Sequence, residues 1–275
     1  MVALGLALCF GVLGLLNLAH GAFLVLAAYT YQTVQDVCPY GGVVGLLLIP
    51  GVFSLVGFLA FTALLGRPYR RSPENLLTPA LLITLGLALI LEDLTSLFWG
   101  QSMAGLQGQL SPVNWGELSF SGNRVLIFSI MVVFSTALHL WLMHTDGGRR
   151  LRALAQDHLA ATLMGISPVG TSALAFTIGT GLSALAGLLY VTLFTVSPHL
   201  GLPLTLKALF LVVVSGRGSL LAPLVGGLLL GVLETFVAGL MGAGWASTIA
   251  LFMLLAWLCY RPTGLFSAGV LRQGG

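Results

Sequence analysis

From residue 43 to residue 65 the chain carries no charged side chain, and several further runs are almost as long and as apolar. A helix needs about 20 apolar residues to cross roughly 30 Å of hydrocarbon. Residues 43–65, 76–99, 125–143, 169–196 and 222–241 meet that length, and 245–260 is a shorter run. Residues 1–16 and 21–34 form another apolar pair, split at Asn17-Leu18-Ala19-His20-Gly21. Residues 205–214 reach only half a bilayer, about 15 Å at ~1.5 Å per residue. The runs are continuous rather than alternating, which excludes the dyad pattern of a membrane β-barrel. Charged residues make up 7% of the 275-residue chain, against about 25% in a soluble domain. A water-soluble globule lacks the polar surface it would need at this composition, and disorder is excluded on the same ground. The expected fold class is all-α: a polytopic transmembrane bundle of about eight spans plus one half-length, re-entrant helix. Residues 1–275 read as a single membrane domain.

The net charge of +3 is not a nucleic-acid signal. Arg67, Arg70 and Arg71 share one short loop, Arg149, Arg150 and Arg152 another, and Arg261 and Arg272 follow the last run. With these loops and Arg217 on the cytoplasmic side, the basic residues obey the positive-inside rule, and the C-terminus is cytoplasmic. The segment 100–123 is then external. No basic stretch precedes the first apolar run, so residues 1–16 read as a retained span rather than a signal peptide.

Three segments depart from plain lipid-facing helix. In the first, Gly14, Asn17, His20 and Gly21 put polar side chains and close-packing glycines at membrane depth. This reads either as a tight turn, with Asn17 satisfying loose carbonyls, or as an unwound segment lining a path. The second is Ser215-Gly216-Arg217-Gly218-Ser219 after the half-length run. Irregular backbone at membrane depth needs protein or a wet cavity around it, and interrupted helices mark transporter substrate paths. The two breaks are therefore expected near each other, with Asn17, His20, Gly21, Ser215, Gly216, Gly218 and Ser219 bordering a path. Arg217 reads as an inner-surface anchor or as a lining residue. Gly227 and Gly231 follow as a GxxxG helix-packing pair. The third segment, residues 145–168, is rich in helix formers and is stopped by Gly165 and Pro168. A connector, a lipid-surface helix and a docking element all fit it.

The ordered set Gly14-Leu-Leu-Asn-Leu-Ala-His-Gly21, Arg67-Pro-Tyr-Arg70, Arg152-Ala-Leu-Ala-Gln-Asp-His-Leu-Ala-Ala-Thr-Leu-Met-Gly-Ile166, Gly201-Leu-Pro-Leu-Thr-Leu-Lys-Ala-Leu-Phe210, Gly218-Ser-Leu-Leu-Ala-Pro-Leu-Val-Gly-Gly-Leu-Leu-Leu-Gly231 and Arg261-Pro-Thr-Gly264 resembles the branched-chain amino acid permeases of bacterial ABC importers. That group also includes urea and short-amide permeases. The resemblance implies a second permease subunit, identical or homologous, two cytoplasmic ATP-binding subunits and an extracytoplasmic substrate-binding protein. It also implies location in the bacterial inner membrane. The core Ala160-Ala161-x-x-x-Gly165 resembles the family's ATPase-docking loop. By that resemblance Arg152, Asp157, Ala160, Ala161 and Gly165 serve coupling, with both alanines facing the partner's cleft. Where the family usually carries an acidic residue after His-Gly, this chain has Ala22.

No P-loop GxxxxGK[ST] is present, so ATP is expected on partner subunits and no cofactor on this chain. Gly179-Thr-Gly181-Leu-Ser-Ala184 matches a dinucleotide fingerprint loosely, but Gly179, Ser183 and Gly187 recur one helical turn apart and read as a packing stripe. The five histidines are scattered, which argues against a metal site, and no catalytic constellation is visible. Glu92, Asp93 and Glu234 are expected to face the bundle interior or an interface.

Overall fold

A computed structural model describes residues 1–14, 16–38, 40–71, 77–106, 111, 113–115, 118–215 and 222–260. The architecture is a helical bundle. Helix α1 (Val2–Leu13) ends at Gly14 in the left-handed region, and residues 16–19 are non-helical before α2 (His20–Val37) begins. Helix α3 (Gly41–Ala60) continues through a π-helical turn, Phe61–Leu65, into α4 (Gly66–Arg71). Helix α5 (Leu77–Trp99) leads to a small hairpin, in which β1 (Val113–Trp115) pairs antiparallel with β2 (Leu118–Phe120). Then follow α6 (Gly122–His144), the short helices α7 (Asp146–Gln156) and α8 (His158–Leu163), and the long α9 (Pro168–Val191). A 3₁₀ turn, Pro198–Leu200, opens α10 (Gly201–Ser215); α11 (Ala222–Met241) and α12 (Ala243–Tyr260) complete the bundle.

Among the described residues six helical segments are long and apolar enough to cross a membrane: Gly41–Tyr69, Thr78–Trp99, Gly122–His144, Pro168–Val191, Pro198–Ser215 and Ala222–Met241. The expected count of eight falls short for physical reasons. Gly14 stops α1 at 12 residues, about 18 Å. Helix α2 carries Gln32, Gln35 and Asp36 in its second half. The apolar part of α12, Gly244–Trp257, is short. The half-length element is in turn longer than expected. Pro203 sits in the first turn of α10, where proline is tolerated because its missing N–H would be unpaired anyway.

Helix α9 is the hub, and the packing stripe read from the sequence faces its neighbours. A Cβ on Gly179 would meet Cys9 Sγ at 2.4 Å, and one on Gly187 would meet the Leu24 carbonyl oxygen at 2.2 Å. Ser183, between them, donates its hydroxyl proton to the His20 carbonyl. Small residues at one-turn spacing thus let α1 and α2 approach α9 backbone to backbone.

Candidate translocation and coupling sites

The non-helical residues 16–19 lie beside the middle of α9, not at its end. The Cys9 thiol donates to the Ala175 carbonyl (3.6 Å), and Ser183 holds His20. Asn17, Ala19 and His20 of the break are therefore covered by protein, as irregular backbone within an apolar bundle requires. Asn17 is 3% exposed. Its Oδ1 accepts the Ala19 amide (3.1 Å), while its Nδ2 has no hydrogen-bond partner. His20 is fully buried. Its Nε2 donates to the Val2 carbonyl (3.1 Å), which leaves Nδ1 as a buried acceptor without a partner. Thr84 and Phe176 line a very small cavity beside Asn17. Two unsatisfied polar groups in one buried break are costly to keep, roughly 1–3 kcal/mol each.

Gly21 shows why this corner needs glycine. A Cβ there would stand 2.0 Å from the Gly201 carbonyl oxygen and 2.5 Å from Thr205 Oγ1. Through that approach the Gly21 amide donates to Thr205 Oγ1 (2.7 Å), and the Thr205 hydroxyl donates to Gly201 (3.0 Å). The first break is therefore bonded to the start of α10. Ser215 is ten residues further on (215 − 205), about 15 Å along the helix. It is fully buried, and its hydroxyl lacks a partner. Gly216, Arg217, Gly218 and Ser219 lie outside the described residues. Of the expected path residues, Asn17, His20 and Gly21 are thus grouped, and Ser215 stands at the opposite end of α10.

The GxxxG reading of α11 needs correction at one position. Gly231 has open space where a Cβ would go, and Gly227 makes an ordinary 3.6 Å contact with Leu211. The tight glycine is Gly226, whose Cβ would meet Ser215 Oγ at 2.6 Å. The face of α11 turned to the bundle carries Pro223, Gly226, Leu230 and Val237; Gly231 is about 100° away from Leu230.

Residues 145–168 form two helices rather than one. Thr145 caps α7 by accepting the Gly148 amide (3.1 Å). Leu151 and Leu154 are buried on one face, while Arg149 and Arg150 are exposed on the other. Arg152 donates to the Met143 carbonyl (3.3 Å), satisfying the end of α6. Asp157 caps α8, accepting the Leu159 and Ala160 amides at 2.8 and 3.0 Å. Gly165 adopts φ +81°, the left-handed turn that only glycine takes freely, and Ser167 starts α9. Ala160 is exposed, but Ala161 is 4% exposed and packs into the chain's own core. The two alanines therefore do not share an outward face. The outward side of α8 and the turn after it instead presents Leu159, Leu163 and Met164, each more than 70% exposed.

Sequence reasoning missed what holds α8 to the spans. Ser172 Oγ donates to the Tyr69 hydroxyl (3.0 Å), which is hydrogen-bonded to His158 Nε2 (2.9 Å). The Tyr69 ring lies against both His158 and Phe61. The signal was present, because Tyr69 and His158 each stand inside one of the motifs quoted above. Also missed was a partner for Glu234. It forms an ion pair with Lys207, the single lysine of the sequence. Glu92 pairs with His199, whose other ring nitrogen lies 3.2 Å from Gln101 Oε1. Glu92 and Glu234 thus face helix interfaces, as expected, whereas Asp93, for which the same was expected, is exposed.

A bundle with six segments long and apolar enough to span, a buried break and a two-helix appendage with an apolar outer side is that of a polytopic membrane protein. The chain belongs to the family "Branched-chain amino acid transport system / permease component", whose model matches residues 1–258. It is 29% identical over 278 residues to the high-affinity branched-chain amino acid transport system permease protein BraD of Pseudomonas aeruginosa, covering 96% of this chain and 90% of that one. It is 26% identical over 287 residues to the LivH permease of Escherichia coli K12, with the same coverage. Similarity extends to the LivM permease of Salmonella typhimurium, at 26% identity over 96% of this chain and 67% of that one. No solved structure matches the chain significantly.

Proposed function

We propose that this chain is the membrane-spanning permease subunit of a bacterial ABC importer for branched-chain amino acids, lodged in the inner membrane with its C-terminus cytoplasmic. It shares the translocation path with a second permease. A soluble binding protein delivers substrate, and two ATP-binding subunits supply the driving force, so this chain binds no nucleotide itself. The observation that carries the reading is the family match along 1–258 to permease components. The break at Asn17–Gly21 is the element that the path would border, and α7–α8 is the element that the ATPase would move.

The mechanism follows from the geometry of the appendage. Leu159, Leu163 and Met164 give a partner an apolar contact on an otherwise capped, rigid helix. The His158–Tyr69–Ser172 hydrogen bonds tie that helix to the end of the α3–α4 segment and to α9. A push on α8 is therefore passed directly to two spans. Arg149 and Arg150 lie exposed on α7, where each would add about 1 kcal/mol of attraction to an anionic membrane surface.

The test is co-expression with the ATP-binding and binding-protein partners, followed by purification and vesicle reconstitution. Leucine uptake that requires ATP and the binding protein is the expected result. Uptake without either partner would identify a channel or secondary carrier and refute the reading. A Leu159→Asp/Leu163→Asp variant should reach the membrane yet no longer co-purify with the ATPase. Asn17→Leu should co-purify and lose uptake.

A further inference from the structure

Lys207 and Glu234 pair at the interior of two spans that otherwise carry no charge. An ion pair is a poor stabiliser there. Replacing such a pair with apolar residues is often neutral or favourable, and ionisable groups within spans mark function by default.

The pair is one rung of a regular seam between antiparallel α10 and α11. Ser215 lies against Gly226, Leu211 and Leu230 share one apolar cluster, and Lys207 meets Glu234. Each rung is four residues from the next on both helices, one helical turn apart. Along this seam runs an apolar groove of about 400 Å³, lined by Leu211, Gly226, Leu229, Leu230, Leu233 and Phe236. That volume lies within the range of small-molecule sites, about 300–1,000 Å³. One end of the seam is the charge pair. The other is the buried, unpartnered Ser215 hydroxyl. The Lys207 end is also close to the broken segment, since Thr205, two residues before Lys207, accepts the Gly21 amide.

We infer that the α10–α11 groove is a transit site for a zwitterion with an aliphatic tail. On this assignment, which rests on the function proposed above, the substrate carboxylate replaces Glu234 on Lys207. Its ammonium replaces Lys207 on Glu234, and its side chain lies along Leu211, Leu230 and Phe236. The exchange creates no net charge in the membrane. It also explains why a lysine and a glutamate, each one helical turn from a groove-lining leucine (Leu211 and Leu230), stand there rather than two leucines. The same head-group chemistry occurs in phosphatidylethanolamine, so the experiment separates the two sources.

The complete transporter is reconstituted, with its partners, in phosphatidylethanolamine-containing vesicles, and leucine uptake is measured at saturating binding protein. A Lys207→Gln/Glu234→Gln variant should co-purify with its partners and lose uptake by about tenfold or more. The charge-exchanged Lys207→Glu/Glu234→Lys variant keeps a pair but reverses the poles offered to the substrate. It should stay equally impaired, and native uptake in it would make the pair structural and overturn the site. Leu230→Ala should raise phenylalanine uptake relative to valine several-fold; an unchanged ratio would overturn the groove assignment. If phosphatidylcholine vesicles lower the wild type to the level of the Gln/Gln variant, the occupant is the lipid head group and the substrate assignment fails. A wild-type transporter that moves no branched-chain amino acid refutes the parent function, and this site with it. Wild-type uptake with an active charge-exchanged variant refutes the site alone.

Discussion

Helices α9 and α11 are both long, apolar and rich in glycine, yet they sit in opposite surroundings. Of the apolar window of α9, 78% is buried within the chain; of that of α11, 17% is. On α9 the glycines take α1 and α2 against their backbone, and polar hydroxyls between them find backbone acceptors. On α11 Gly231 and Gly239 meet nothing, and away from the α10–α11 groove Leu228 and Leu240 are exposed. The same composition thus serves two ends. In α9 it is spent on closeness inside one chain. In α11 it leaves one side, beyond the groove with α10, uncovered by the chain's own helices.

The contrast yields a graded series, read as the thermal midpoint of the detergent-solubilised chain. Gly187→Leu should have the largest effect, because a Cβ there meets backbone that cannot move aside. A loss of about 3 kcal/mol or more is expected, seen as failure to accumulate folded protein. If the variant accumulated normally, α9 could not be the rigid hub. Thr205→Val should cost about 2 kcal/mol, since it leaves the buried Gly21 amide without an acceptor. Ser183→Ala, which removes one hydroxyl donor to the His20 carbonyl, should cost about 1 kcal/mol. Gly231→Leu should stay within about 0.5 kcal/mol, as surface substitutions do. A large loss there would mean that α11 is packed as tightly as α9, and the comparison would collapse.

Much of the fold was legible because composition and run length dominate in a membrane chain. Five of the six long segments and the α9 stripe followed from apolar length and one-turn spacing; Pro198–Ser215 was read as half-length. What stayed hidden depended on phase and pairing. Ala160 and Ala161 were read as one face, but neighbours on a helix point about 100° apart, so one faces out and the other in. Gly227 and Gly231 were chosen by spacing alone, which does not say which side of α11 meets α10; Gly226 does. The Lys207–Glu234 pair had a signal in the sequence, a lone base and a lone acid in separate apolar runs. Only the antiparallel register of α10 and α11 brings them together. The Tyr69–His158 bond joins residues 89 apart, beyond the reach of any local pattern.

The π-helical turn at Phe61–Leu65 has a consequence for which way its neighbours look. A π turn holds one residue more than the α-helix it interrupts, and each residue rotates an α-helix by about 100°. The surplus residue therefore acts as a swivel in the long segment Gly41–Tyr69. Before it, Gly57 is pressed against Thr180; beyond it, Tyr69 is aimed at His158 and Ser172. If the same residues ran on as plain α-helix through Phe61–Leu65, the segment would stay helical and Gly57 would stay seated. Tyr69 would swing about a quarter-turn off its aim, leaving α8 to move without the spans.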